Sequence, residues 1–564
     1  MRDVRDVNGE PVTALDAPTL CGAFQATASA RPGQVAHRTL DGSVEITYGE
    51  FVERVRALAT GFHSLGARRG DTVGLMLLNR PEFGLADVGA MHAGLTTFSI
   101  YNTLSPEQIG YLLHNAGNRI VVTERMFLPR ILAARTPQLE HIVLVDGDAD
   151  GTITLSDLAG RASRGFRFED AWREVQPDDV VTLIYTSGTT GPPKAVQLTH
   201  GNVMFEARAF ASALPVRLGG RTISYLPSAH VGDRALTHYA GSLCFGNTVT
   251  SIPDFRQVGA ALASVRPTSF GAVPRVWEKI MAALVSAGMS SPAQLPEPVK
   301  AAVRAKIGLD QADWCVSSAA PASPEVLRFF SDLGLALNEG WGMSELACFA
   351  TMNPQDDIRI GSVGRALPGV ELKLLDDGEL LVRAPLVMKG YRNDPEKTTE
   401  AIDADGWLHT GDVAQIDGDG YVRIVDRKKE IIINSAGKNM SPANIEFRLR
   451  ASSPLVAFAV CIGDRRPYNV ALLVLDPEMA GRWAAERGLS GGLDELSSHP
   501  ELRAALQAAV ESANEGLSRV EQIKRFAVLA SDWQPGGDEL TPTSKLKRKP
   551  VNEKYAAIIE DLYR

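Results

Sequence analysis

The 564-residue sequence has little cysteine, and no two cysteines share a C-x-x-C spacing. Cys21, Cys244, Cys315, Cys348 and Cys461 are scattered, which excludes a C-x-x-C redox or metal pair. They read as reduced, mostly buried thiols of a cytoplasmic protein. No uncharged run approaches the ~20 residues needed to span a bilayer, so no transmembrane segment is expected, although peripheral contact with a membrane is compatible with the sequence. Met1-Arg2-Asp3-Val4-Arg5-Asp6 is charged and lacks an apolar stretch, so no signal peptide is expected. There is no excess of positive charge: 58 basic against 67 acidic residues gives −9, which argues against a general nucleic-acid binder. Internal repeats, low-complexity tracts and long linkers are also missing.

What is present is a globular composition, 45% hydrophobic and 22% charged, in a chain long enough for several packed lobes. Val52, Val55, Ala59, Phe62 and Leu65 form a helical stripe ending near Gly66. Asp71–Leu77, Arg119–Thr123 and His141–Val145 read as strands. Strands alternating with helices imply an α/β class with parallel-rich sheets.

One stretch organises the rest. The apolar run Val180-Val181-Thr182-Leu183-Ile184 reads as a short buried strand, followed by Tyr185-Thr186-Ser187-Gly188-Thr189-Thr190-Gly191-Pro192-Pro193-Lys194. Glycines allow backbone N–H groups to approach an anion closely, hydroxyls donate to phosphate oxygens, and Lys194 adds a cation. This is a phosphate cradle, yet not the G-x-x-x-x-G-K-[ST] pattern, because Pro192 and Pro193 separate Gly191 from Lys194. The loop resembles the signature of the adenylate-forming (AMP-binding) enzymes, which include acyl-CoA synthetases.

Further strings match that family in order. Asn338-Glu339-Gly340-Trp341-Gly342-Met343-Ser344-Glu345 sets an aromatic between two glycines, offering an exposed face for a base, with a carboxylate four residues on. It is similar to the family's Y-G-x-[ST]-E motif. The resemblance implies nucleotide contacts by Glu339, Gly340, Trp341, Gly342 and Ser344, and Mg²⁺ ligation by Glu345 with Thr186. Ser317-Ser318-Ala319-Ala320-Pro321 stands where the family has a glycine-rich segment against adenine and ribose, which implies contacts by Ala319, Ala320 and Pro321. The aspartate of Thr410-Gly411-Asp412 is implied as the ribose ligand, its two oxygens matching a vicinal diol.

In Asp426-Arg427-Lys428-Lys429, Arg427 matches a ribose or phosphate contact and Lys429 the hinge. The resemblance thus implies a large N-terminal domain over 1–426 and a small mobile α+β domain over 427–564. Ala436-Gly437 replaces the usual pair of glycines in the pantetheine loop. Leu540-Thr541-Pro542-Thr543-Ser544-Lys545-Leu546-Lys547-Arg548 resembles the ending of the long-chain fatty acyl branch, with Lys545 the match for the adenylation lysine and Lys547 the weaker candidate. Four basic residues near a terminus otherwise read as a solvated run. Leu226-Pro227-Ser228-Ala229-His230 resembles a segment bordering the acyl site, and Val273–Lys279 also looks like the long-chain branch.

The resemblance covers about Val35 to Tyr563. It implies ATP- and Mg²⁺-dependent conversion of a medium- to long-chain fatty acid to acyl-AMP, then transfer to CoA. Lys194, Glu345, Lys545 and His230 would be the catalytic set; Ser187, Gly188, Thr189, Thr190, Gly191 and Gly437 would join the nucleotide and CoA contacts. Alternatives are an acyl-AMP ligase loading a carrier protein, a luciferase-like oxygenase, and a silent nucleotide-binding relative. The short span from Leu346 to Ser362 leaves little room for the insertion usual in the first.

Overall fold

A computed structural model describes residues 4–186, 192–289, 291–435, 438–541 and 545–564, and the side chain of Asn439 is left out of the description. The chain forms two compact units. One comprises Met1–Lys373, Leu381–His409 and Ile416–Val422; the other comprises Leu374–Leu380, Thr410–Gln415 and Arg423–Arg564.

The first unit is built on an eight-stranded sheet. From one edge its strands run Gly390–Tyr391, Lys194–Thr199, Val180–Thr186, Thr96–Ser99, Thr72–Met76, Ile120–Thr123, His141–Leu144 and Ile153–Thr154. The six from Val180–Thr186 to Ile153–Thr154 are parallel, and the two at the first edge are antiparallel. The three strands expected from the opening third are therefore present: Thr72–Met76 is shorter by one residue at each end, Ile120–Thr123 lacks the first expected residue and His141–Leu144 the last. They are covered rather than alternating: Thr72–Met76 and Ile120–Thr123 are buried throughout, as helical crossovers on both faces require.

The expected helix spans Tyr48–Ser64. Thr47 caps it reciprocally with Glu50, and Val55, Ala59, Phe62 and Leu65 of the expected stripe are buried together with Phe51 and Leu58, while Val52 is half-buried. A five-stranded sheet contains Ser269–Ala272, Trp314–Ser317 and Leu337–Trp341 in parallel, continued antiparallel by Thr351–Met352 and Arg365–Ala366.

The second unit has a three-stranded sheet with Asn469–Leu475 at its centre, antiparallel to Val456–Ile462 and parallel to Ile523–Leu529. All seven residues of the central strand are buried. Alternation sends Ala471, Leu473 and Leu475 into a cluster with Leu502 and Leu506, and Leu472 and Val474 into another with Trp533, Leu540 and Val551. The second cluster fastens the C-terminal segment on either side of Lys545 to the sheet. The polar helical region expected after Pro477 resolves into helices Pro477–Glu486, Leu493–Ser498 and Pro500–Glu515.

Candidate functional site

In the first unit the apolar run beginning at Val180 continues as strand to Thr186, two residues beyond its expected end, because it pairs with a returning strand, Lys194–Thr199. Thr186 stands opposite Lys194, so the two residues close the base of a hairpin. Ser187, Gly188, Thr189, Thr190 and Gly191 lie outside the described residues. The hairpin base is anchored to the helix Pro106–Ala116. Tyr185 Oη donates to Asn115 Oδ1 at 2.9 Å, and Tyr111 Oη to the Pro193 carbonyl at 3.1 Å.

Glu345 sits on a 3-10 turn, Ser344–Leu346, just after strand Leu337–Trp341. The turn is forced by close packing: a Cβ on Gly342 would lie 1.8 Å from the Cys348 carbonyl oxygen. Glu345 is 7% exposed, and Oε1 accepts a hydrogen bond from Tyr391 Oη at 2.8 Å. The Tyr391 ring also carries the Lys194 ammonium 4.6 Å from its centroid. Lys194 and Glu345, far apart in sequence, thus meet through a tyrosine that the sequence reading did not single out. Tyr391 lies outside the phosphate-loop and Trp341 motifs; strand pairing alone brings it there.

Trp341 departs from expectation. It pairs with Thr351 at the strand's end and is 8% exposed, so its ring is packed rather than presented as an open face. Glu339, on the same strand, is buried. Burial pushes its carboxyl up to about 7, against the Ala322 and Gly361 backbone groups that favour the anion. Ala319, Ala320 and Pro321 form an exposed bend, with Ala319 at φ +72°. Ser318 Oγ, beside them, donates to the Gly340 carbonyl at 3.0 Å, which ties this bend to the Trp341 strand.

His230 is half-buried, and its Nδ1 accepts from the Gly232 N–H at 3.1 Å, which leaves the proton of the neutral ring on Nε2. It lies three residues before the start of a π-helix, Asp233–Cys244, a rare form that clusters at functional sites. That helix holds Arg234 against Asp87, with His238 Nε2 3.0 Å from the other Asp87 oxygen. Burial alone would raise the Asp87 pKa, but Arg234 and His238 outweigh it and hold the carboxylate charged. Sequence gave no sign of this buried group.

In the second unit Asp412 is 3% exposed, and Arg427 Nε donates to its Oδ1 at 2.6 Å from the neighbouring strand. Lys429 lies in an exposed turn following strand Val422–Arg427. Ala436 and Gly437 lie outside the described residues. Thr541 N–H donates to the Lys545 carbonyl at 2.8 Å, and Lys545 N–H to Thr541 Oγ1 at 3.0 Å, closing the loop that presents the exposed Lys545. Lys547 Nζ donates to the Gly537 carbonyl at 2.8 Å. Arg548 is largely buried between Glu430 and Glu446, so the third cation of the basic run is spent on internal charge pairing, while Lys545 and Lys549 are exposed.

The donor set fits Mg²⁺ brought in with a nucleotide. No group of three or more His, Cys, Asp or Glu residues poised for a metal occurs among the described residues. One buried carboxylate and one hydroxyl, from Glu345 and Thr186, are what an ion needs when phosphates and water complete its octahedron.

Comparison with known proteins agrees. Residues 24–392 match the family described as AMP-binding enzyme, and residues 429–564 match the AMP-binding enzyme C-terminal domain. A Mycobacterium tuberculosis protein provisionally named fatty-acid–CoA ligase fadD11 is 50% identical over 452 residues, 74% of this chain and 79% of its own length. Long-chain-fatty-acid–CoA ligase FadD15 of the same species is 34% identical over 575 residues, 94% of each chain. Among solved structures, the anthranilate CoA ligase AuaEII with anthranoyl-AMP superposes with TM-score 0.77 at 22% identity, covering 97% of this chain and 99% of that one, which shows the shared fold. The chain belongs to the AMP-binding, adenylate-forming enzyme family, within its fatty-acid–CoA ligase branch.

Proposed function

We propose that this protein is a cytoplasmic ligase that activates a medium- to long-chain fatty acid with ATP and Mg²⁺ and transfers the acyl group to CoA. The observation that carries the reading is the meeting of Lys194 and Glu345 on Tyr391, at the base of the hydroxyl-rich loop. No helix among the described residues is long and apolar enough to cross a membrane.

In the first half-reaction a carboxylate oxygen attacks the α-phosphorus. The new bond is C–O–P, and the bond to pyrophosphate breaks. The reaction needs no side-chain nucleophile; the chain must hold two anions together and stabilise charge spreading over the phosphoryl oxygens. Lys194 and the hydroxyls of Thr186, Ser187, Thr189 and Thr190 hold phosphate oxygens, while Glu345 and Thr186 hold the metal. Bound Mg²⁺ supplies neutralising charge to the leaving pyrophosphate. Asp412 accepts the ribose hydroxyls, with Arg427 beside it, and Ala319–Pro321, Glu339–Gly342 and Ser344 enclose the base and sugar.

Lys545 supplies the cation at the α-phosphate. Lys547, whose ammonium is engaged by Gly537, serves its own loop instead. In the second half-reaction the CoA thiol attacks the acyl carbonyl and AMP leaves. The segment at Ala436-Gly437 guides pantetheine, His230 borders the acyl group, and the turn at Lys429 is the hinge between domains 1–426 and 427–564.

The test separates the halves. Lys545→Ala is expected to lose fatty-acid-dependent ATP–pyrophosphate exchange by roughly 10²–10³-fold, while conversion of supplied acyl-AMP and CoA to acyl-CoA stays near the wild-type rate. Equal loss in both assays would refute the assignment of Lys545.

A further inference from the structure

The segment from Met388 to Arg392 laces two parts of the first unit together. Its backbone donates once towards the Glu345 turn and twice to the Lys194–Thr199 strand: Met388 N–H to the Glu345 carbonyl at 2.8 Å, Lys389 N–H to the Gln197 carbonyl at 3.0 Å, and Arg392 N–H to the Ala195 carbonyl at 2.9 Å. The short strand Gly390–Tyr391 pairs antiparallel with Lys194–Thr199, placing Tyr391 opposite Val196. Alternation along a strand puts Val196 and Lys194 on one face, and the ring of Tyr391 lies on that face too. Tyr391 is buried, 7% exposed, so its hydroxyl and ring act where water screens poorly.

Two interactions of opposite character converge on this one side chain. The phenol O–H donates to Glu345 Oε1 at 2.8 Å, a charge-assisted bond that orients the carboxylate. The negative face of the ring receives the Lys194 ammonium at 4.6 Å from its centroid.

We infer that Tyr391 is the positioning residue for the metal–phosphate centre. It fixes Glu345 for divalent-cation ligation through its hydroxyl, and it parks Lys194 through its ring before the nucleotide triphosphate arrives. The inference rests on the ligase reading above. It goes beyond it by assigning a residue outside the phosphate-loop and Trp341 motifs to ordering their two charged groups.

The hydroxyl and the ring can be tested apart. In Tyr391→Phe of the full-length protein the ring stays and the hydrogen bond goes. Titration of Mn²⁺ into protein and ATP, read by the loss of the free Mn²⁺ paramagnetic resonance signal, is expected to show at least roughly tenfold weaker metal binding, the range for loss of a group orienting a ligand. Binding of metal-free ATP by calorimetry and the melting temperature should stay at wild-type values, which a merely structural role for the hydroxyl would not preserve. The Mg²⁺ concentration for half-maximal pyrophosphate exchange should rise in step, with exchange restored at saturating Mg²⁺. Tyr391→Leu, which also removes the ring, should in addition weaken metal-free ATP.

Wild-type metal affinity in Tyr391→Phe would overturn the inference and leave the ligase reading standing. Failure of the wild-type protein to bind Mn²⁺ with ATP would overturn both.

Discussion

Arg548 grips Glu446 with two hydrogen bonds, Nη1 to Oε1 at 2.5 Å and Nη2 to Oε2 at 2.8 Å, while its Nε donates to Glu430 at 3.0 Å. Glu430 is the neighbour of Lys429 in the turn proposed as hinge, and Arg548 follows Lys545 by three residues. One largely buried guanidinium therefore ties the segment that follows Lys545 to the turn at Lys429 of the same unit. Only Arg offers a planar fork that can serve both carboxylates at once.

Arg548→Ala would leave Glu446 buried without its cation, a change that destabilises by about 3–5 kcal/mol where a charge pair is broken from one side. Hydrogen exchange should rise across 426–446 and 545–554, and unchanged protection there would contradict the tie. Arg548→Lys keeps the charge without the fork. It is expected to slow adenylation roughly tenfold while sparing thioester formation from supplied acyl-AMP.

Glu206 makes the stability of the first unit depend on pH. It is fully buried on helix His200–Ala211, neither of its oxygens has a hydrogen-bond partner, and desolvation pushes its pKa up to about 8 despite the nearby Phe349 backbone. A carboxyl raised in the folded state stays protonated there after the unfolded chain has lost its proton. Its contribution is therefore full below the unfolded value of about 4.3 and falls by roughly 1.4 kcal/mol per unit as pH rises towards 8. Glu206→Gln removes that slope. Between pH 6 and pH 8 the variant should gain about 2–3 kcal/mol relative to wild type, read as a widening gap in melting temperature; parallel pH profiles would contradict the account.

Ala319 occupies φ +72°, a left-handed conformation that an alanine holds only at a cost of about 1–2 kcal/mol. Ala319→Gly should raise stability by about 1 kcal/mol in denaturant unfolding, with ATP affinity kept within about twofold. A destabilised variant would show that the Cβ makes a contact worth more than the strain.

Asp412 offers a direct test of sugar recognition. Wild type should prefer ATP to 2′-deoxy-ATP by roughly tenfold or more, the worth of a hydrogen bond to a charged group. Asp412→Ala should weaken ATP binding and erase that preference. Calorimetry showing the preference intact in the variant would sink the ribose role.

Much of this molecule was legible from local chemistry. The strand beginning at Val180, the three strands of the opening third and the helix carrying Val55, Ala59 and Phe62 follow from patterns within a dozen residues. What escaped was decided by pairing between distant segments. Tyr391 reaches Glu345 and Lys194 because its strand adds to the edge of the Lys194 strand. Trp341 is buried where its strand pairs with the distant Thr351–Met352 strand. Arg548 read as one of four solvated cations, since nothing in Lys545-Leu546-Lys547-Arg548 announces that Glu430 and Glu446 wait for it. The Asp87–Arg234–His238 group, shared between the helix Pro81–His92 and a π-helix, was invisible for the same reason.

The measurement that tests the central claim most directly is mass spectrometry of the products formed from Mg-ATP and a ladder of fatty acids, with and without CoA. The account predicts acyl-AMP and pyrophosphate without CoA, and acyl-CoA with AMP when CoA is present, with a preferred rung among the medium to long chains. Acyl-AMP that persists in the presence of CoA would contradict the transfer step and point to a carrier protein as acceptor, and formation of neither product with any rung would contradict the ligase itself.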